Sequence, residues 1–156
     1  MTMEEIIAFV ERLDGALAVQ PGPGDGSPEI SWGDTFFFYS PEGGMPKATQ
    51  PFATIVTKDQ PGDDRSRLDR PDTFRVNIGA GRSAFIDWTG HAPREPAVDD
   101  DPGMDDAVIA HPVYASLGWV AVVNPGRGTD AAVRELLRNA YHRARARHER
   151  RADSTS

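Results

Sequence analysis

The chain contains no cysteine, which excludes a disulfide framework, a thiolate nucleophile and a Cys-ligated zinc site. It has no apolar run approaching the roughly eighteen residues of a membrane-spanning helix. No basic region followed by an apolar run opens it, so no targeting segment is read there. A cytoplasmic setting is the expectation. Aromatic residues are scarce, at 8% of the chain, and the apolar fraction of 38% is low. No Walker loop, dinucleotide fingerprint, zincin motif or nucleophile elbow occurs. Internal repeats and domain-dividing linkers are absent as well.

What remains is one domain's worth of chain, 156 residues, with loops swollen by 15 Gly and 13 Pro. The net charge of −7 conceals an asymmetry. Residues 134–151 carry seven Arg against two Glu, a local +5, while residues 1–133 carry ten Lys or Arg against 21 Asp or Glu, a local −11. A mostly acidic surface repels a phosphate backbone and disfavours nucleic acid as a partner.

Local pattern defines the elements. Thr2 and Glu5 have capping-box spacing, and Met1 is placed to staple onto Ile6. Met3, Ile6, Ile7, Val10 and Leu13 then recur at helical period, and Gly15 offers a left-handed stop. Residues 16–19 read as a short strand and 21–28 as a Pro/Gly loop. Further strands are predicted at 35–39, 52–57, 73–78 and 118–123. In the first, Phe36 and Phe38 face one way and Thr35, Phe37 and Tyr39 the other. In the third, Phe74, Val76 and Ile78 point to the core, with Thr73, Arg75 and Asn77 away from it. The fourth is apolar on both faces, which suggests a central place in the sheet or a second contact. A short helix is predicted at 82–88 after Gly79-Ala80-Gly81, and a turn of helix at 105–110. The last helix starts at Thr129 as N-cap, with Val133, Leu136, Leu137, Ala140, Tyr141 and Ala144 as its buried stripe. Where that stripe ends the chain is expected to fray. Residues 1–148 then form one domain and 149–156 a flexible tail.

Few residues suggest chemistry. Gly79-Ala80-Gly81 before a helix suits either a phosphate or simply a tight turn. Asp99, Asp100, Asp101, Asp105 and Asp106 cluster as hard-cation ligands do, but lack EF-hand spacing and read better as a solvated loop. No metal or cofactor is assigned. His91 lies in a Gly/Pro loop, and His142 and His148 lie on the terminal helix or tail. His111, held by Pro112 before the apolar strand, suits a general base at neutral pH and equally suits capping the following turn. Trp32, Asp34, Lys58, Asp59, Arg75 and Asn77 form a second candidate group at strand ends and on the polar side of a strand. Were those strands neighbours, a pocket walled by Phe37 and Tyr39 would hold a small anionic or amide-bearing ligand, with Arg75 as bidentate donor. The alternatives are surface ion pairs, or a homodimer face on the aromatic side of the sheet. Arg143, Arg145, Arg147, Arg150 and Arg151 read as a solubilising helix end, since no aromatic residues interleave with them as stacking platforms.

Several of these segments together carry a resemblance. They are Trp32-Gly33-Asp34-Thr35-Phe36-Phe37-Phe38-Tyr39, Pro51-Phe52-Ala53-Thr54-Ile55-Val56-Thr57-Lys58-Asp59, Leu68-Asp69-Arg70-Pro71, Phe74-Arg75-Val76-Asn77-Ile78-Gly79, His111-Pro112-Val113-Tyr114, Gly118-Trp119-Val120 and Asn124-Pro125-Gly126. Over residues 3–148 the chain resembles a family of small actinobacterial proteins carrying a single domain of unknown function. That resemblance implies no activity and transfers no catalytic residue. More distantly the chain is similar to the MmcQ/YjbR-like proteins, in which an N-terminal helix precedes an antiparallel sheet and a late tryptophan-bearing strand, here with Trp119, leads into the terminal helix. This second resemblance implies a two-layer α/β arrangement with some likeness to DNA-binding domains, although the acidic body argues against DNA. Fold analogy alone does not assign function.

The expected architecture is a two-layer α+β domain, its antiparallel sheet of four or five strands packed by the N- and C-terminal helices. The leading functional expectation is a non-catalytic small-ligand-binding or regulatory domain using the Asp34, Lys58, Asp59, Arg75 and Asn77 side of the sheet. The alternatives are a small hydrolase or isomerase with His111 as base and Arg75 holding an anionic substrate, and a structural homodimer or protein-interaction domain.

Overall fold

A computed structural model of the chain describes residues 1–46, 49–95 and 101–155. The elements run α1 (Met3–Glu11), β1 (Ala16–Val19), β2 (Thr35–Tyr39), β3 (Ala53–Val56), β4 (Arg75–Gly79), α2 (Arg82–Thr89), β5 (Val108–Ala110), β6 (Trp119–Val123) and α3 (Asp130–Thr155). The six strands form one sheet in the order β1-β2-β3-β4-β6-β5, and every neighbouring pair is antiparallel. Among the described residues no helix is long and apolar enough to cross a membrane.

The pleat divides each strand between two faces. Phe37, Ala53, Ile55, Val76, Ile78, Val120 and Val122 point to one side, where they are buried with Ile6, Phe9 and Val10 of α1, Phe85 of α2 and Val133, Leu136, Leu137, Ala140 and Tyr141 of α3. Each such large side chain contributes about 1.5–3 kcal/mol when removed from water. The capping box of α1 is complete: Glu5 donates its backbone N–H to the Thr2 hydroxyl, and the Thr2 N–H is accepted by the Glu5 carboxylate. That helix ends with Arg12 as C-cap. Gly15, at φ +79°, therefore serves not as the helix stop but as the turn into β1, where a Cβ would stand 2.9 Å from the Tyr39 ring.

Further expectations need correction. The stretch expected as a turn of helix at 105–110 contains a strand, β5, which raises the sheet to six. Three residues are too few to show alternation, and pairing with β6 supplies the order that the local sequence does not. Arg75 and Asn77 do lie on the opposite face of β4 from Val76 and Ile78, but they are buried rather than solvated. The segment between β3 and β4 folds over them, placing Ser66 and Leu68 in the interior as well. Finally, α3 outlasts its apolar stripe and remains helical to Thr155.

In the acidic run Asp101 and Asp105 are exposed, as a solvated loop would have them, yet each also finds a partner within the chain; Asp99 and Asp100 lie outside the described residues. Asp101 pairs with Arg67, and Asp105 accepts from Asn124. Asp106, held at φ +54°, presents its carboxylate to the loop that opens α3. It accepts from Gly126 N, Gly128 N and the Thr129 hydroxyl at 2.8, 3.0 and 2.5 Å. The Thr129 hydroxyl, the strongest of these bonds in its effect, and the Gly126 amide hold the Asp106 carboxyl below the usual carboxylate range. A Cβ on Gly128 would stand 2.8 Å from that carboxylate, so glycine is what lets the loop close on it. Asp106→Gly, which tolerates the positive φ, is expected to lower stability by about 1–2 kcal/mol through loss of this cap. Urea unfolding of the two proteins measures it, and equal midpoints would show that the carboxylate does not support the helix start.

Candidate functional site

All but one of the polar residues singled out in the sequence fall into two neighbouring clusters on the loop-covered face. In the first, Arg75 is 1% exposed and four of its guanidinium N–H groups are engaged. Nη1 and Nη2 donate to the two Asp63 oxygens at 2.9 and 2.6 Å, Nη1 also to Ser66 Oγ at 2.9 Å, and Nε to Asn77 Oδ1 at 2.7 Å. Asn77 in turn donates to Thr54 Oγ1 across β3. Burial pushes the Asp63 carboxyl up, but the Arg75 guanidinium outweighs it and holds the group below its ordinary range.

His111 completes this cluster. It is 3% exposed, and its Nδ1 accepts the backbone N–H groups of Val113 and Tyr114, both at 3.0 Å. The ring therefore caps the turn into β6, the second of the two roles its sequence context suggested. With Nδ1 accepting twice, the neutral ring carries its proton on Nε2, which stands 3.3 Å from Arg75 Nη2. Burial first, then the Arg75 charge, lowers the imidazole pKa to about 3, against a smaller opposing pull from Asp63.

The second cluster surrounds Asp34, whose side chain is buried. Asp34 Oδ1 accepts Thr57 N and Thr57 Oγ1, and Oδ2 accepts Gln60 Nε2. Lys58 Nζ lies 3.7 Å from that carboxylate while donating to the Trp32 carbonyl at 2.5 Å. Burial pushes the Asp34 carboxyl up, and the Thr57 bonds and the Lys58 charge only partly offset this. Trp32 directs its indole N–H to Ser27 O. Asp59 stands apart from both clusters, accepting Leu68 N within the covering loop. The loop links the clusters, because Gln60 and Asp63 exchange backbone hydrogen bonds while their side chains reach Asp34 and Arg75 respectively. Phe37 packs on the other face of the sheet, and so walls neither cluster. Asp63 and Ser66, the essential partners of Arg75, lie in an aperiodic loop that gives no sequence signal.

Two open concavities lie elsewhere among the described residues, on either side of Arg143. One, of about 480 Å³, lies between α2 and α3 and mixes Arg82 and Arg143 with Asp87 and Glu135. The other, of about 340 Å³, is bounded by α3, the segment 49–52 and the end of the sheet. Its charged lining is Arg143, Arg147 and Arg151, with His148 next to them at 3.8 Å from the Glu42 carboxylate, beside Tyr39, Phe52 and Trp119. The arginines recur at every fourth position along α3, so they form one stripe, a spacing visible in the sequence once the helix is known to continue. The aromatic partners come from strands distant in the chain.

Glycines build the seat of Arg143. Its Nη1 donates to Gly79 O at 2.8 Å, and a Cβ on Gly81 would lie 2.6 Å from its Cζ. The Gly79-Ala80-Gly81 step thus receives a guanidinium. Burial, and secondarily the Arg147 charge, lowers the Arg143 pKa. Neither arginine has a carboxylate within ion-pair distance among the described residues. Among those residues, no three His, Asp or Glu side chains converge as a metal site.

The fold defines an α+β protein whose antiparallel sheet is packed by its terminal helices, carrying a buried ionic layer on one face and a basic cleft at one end. Over residues 1–153 the chain matches a family of unknown function, DUF6194, and it belongs to that family. No curated protein and no solved structure matches it.

Proposed function

We propose that this protein is a non-catalytic domain that binds a small anionic ligand, in the basic cleft beneath α3 rather than on the Arg75 side of the sheet. The carrying observation is the pair Arg143 and Arg147, which line one cavity without a carboxylate between them in a chain of net charge −7. Adjacent guanidinium groups repel each other, and an oxyanion shared between them would remove that repulsion while accepting charge-assisted hydrogen bonds. The Arg75 cluster supports a different role, since three of its guanidinium N–H groups hold the covering loop through Asp63 and Ser66 and a fourth bonds Asn77. His111 as general base draws no support from a ring whose Nδ1 accepts two backbone amides. A cytoplasmic setting is proposed with it, supported by the absence of cysteine. Kinship with small actinobacterial proteins, and more distantly with the MmcQ/YjbR-like group, is supported only by sequence likeness and by Trp119 preceding α3.

Thermal unfolding with pyrophosphate at constant ionic strength tests the proposal. A ligand that binds only the folded state raises Tm by mass action, by about 2.7 kcal/mol of added stability at a hundredfold excess over Kd. A saturable rise is expected in the wild type and none in Arg147→Glu. Absence of a rise, or an equal rise in the variant, would remove the cleft as the binding site.

A further inference from the structure

We infer that the basic cleft selects a phosphorylated ligand bearing a planar aromatic ring, of mononucleotide size. The inference rests on the anion-binding proposal and adds the second half of the ligand. Three observations carry it. The first is the aromatic wall. Trp119 rests against a glycine: a Cβ at Gly79 would lie 3.3 Å from both Cε2 and Cζ2 of the indole and 3.2 Å from the Phe52 carbonyl. Backbone thus packs against the indole, and both line the cavity. Tyr39 is held by edge contacts to Tyr141 at 5.8 Å and to His148 at 5.2 Å. Aromatic side chains of this kind offer a face to any π-system, and base–aromatic stacking is worth about 1–3 kcal/mol per base.

The second observation is the order of the lining. The arginines lie along α3 while Trp119 and Leu117 come from the sheet end and the turn before it, so the charged groups sit on one side and the indole on the other, beside Thr49 and Gln50. A ligand with one anionic end and one planar apolar end matches that division; a simple inorganic anion would use only the first side. Leu117, 70% exposed at the rim, extends the apolar side. The third is size and charge. About 340 Å³ falls within the usual range of small-ligand pockets. The local −11 over residues 1–133 repels an extended polyanion, so a single nucleotide suits the surroundings better than a strand.

Titration calorimetry with AMP, adenosine and inorganic phosphate on the wild type, Trp119→Leu and Arg147→Glu tests the inference. In the wild type AMP is expected to bind about 5- to 150-fold more tightly than phosphate, the range that stacking energies imply. Trp119→Leu should bring AMP down to the phosphate level and leave phosphate itself unchanged, while Arg147→Glu should lose both. Should Trp119→Leu fail to melt cooperatively, Trp32→Phe with Trp88→Phe leaves Trp119 as the sole indole. Its fluorescence should then be quenched by AMP and not by phosphate. Equal affinity for AMP and phosphate in the wild type would overturn the ring inference while leaving anion binding intact. Failure of every anion to bind would overturn both. Tighter binding of a single-stranded oligonucleotide than of AMP would overturn it in favour of a polymer.

Discussion

Arg75→Ala is expected to destabilise the protein by about 3–5 kcal/mol, the range for removing one partner of a buried ion pair. The arginine is almost wholly inaccessible, and its loss strands the Asp63 carboxylate, the Ser66 hydroxyl and the Asn77 amide oxygen without their donor. An unpaired buried polar group costs more than the bond contributed when made. The effect should be local as well as global, because the Asp63 pair anchors the segment covering this face of the sheet. Amide exchange should accelerate between residues 57 and 73 before it does so in β4. The double variant Arg75→Met with Asp63→Leu removes the charge together with its partner and should recover part of the loss. Chemical denaturation of all three proteins decides the matter. If Arg75→Ala unfolds within 1 kcal/mol of the wild type, about the effect of a surface pair, the guanidinium is not holding the loop.

Acidification is expected to cost the wild type several kcal/mol between pH 6.5 and about 3, with His111 as the principal cause. Its folded pKa is lowered to about 3, by burial and then by Arg75, from an ordinary value of 6.5. In that window the unfolded chain binds the proton and the folded chain does not. The stabilisation is therefore complete above 6.5 and is lost as pH falls toward the folded value, at up to about 1.4 kcal/mol per pH unit. Asp63, whose folded pKa is lowered, acts in the same direction at still lower pH. Asp34, whose pKa is raised, acts the opposite way just above the ordinary carboxylate range. His111→Asn separates these contributions. Its side-chain oxygen sits where Nδ1 does and can accept from Val113 and Tyr114, but it does not titrate. The variant should unfold with a clearly shallower pH dependence between 6.5 and 4. Parallel curves for the two proteins would assign the acid sensitivity to other groups.

The elements most legible in the sequence are those whose signal is local. Thr2 and Glu5 announce α1 because a capping box is satisfied within four residues. Alternation in 35–39 and 73–78 locates β2 and β4 because the pleat repeats every second residue. The apolar strand before Asn124, read as either central or covered by a second contact, is flanked on both sides, since β6 lies between β4 and the short edge strand β5. Three residues of β5 carry no such period and become a strand only through β6.

For the candidate site the sequence picks out Arg75, Asn77, His111, Asp34 and Lys58 as unusual polar residues beside strands, and the structure does gather them, in two clusters. Whether such residues open to a ligand or close on one another depends on what lies above the sheet. That is decided by Asp63, Ser66 and Gln60 in a loop with neither period nor motif, through contacts made only after the chain has folded back. The basic stripe shows the same division. Fourfold spacing of Arg143, Arg147 and Arg151 is written in the sequence, but the Trp119 and Tyr39 rings that turn it into a cleft arrive from β6 and β2. The sequence by itself determined where the three helices begin, most strands and the charge of each segment, because those depend on neighbours along the chain. Only the tertiary structure decided which charges are buried and paired and which line an open cavity, because burial and pairing depend on neighbours in space.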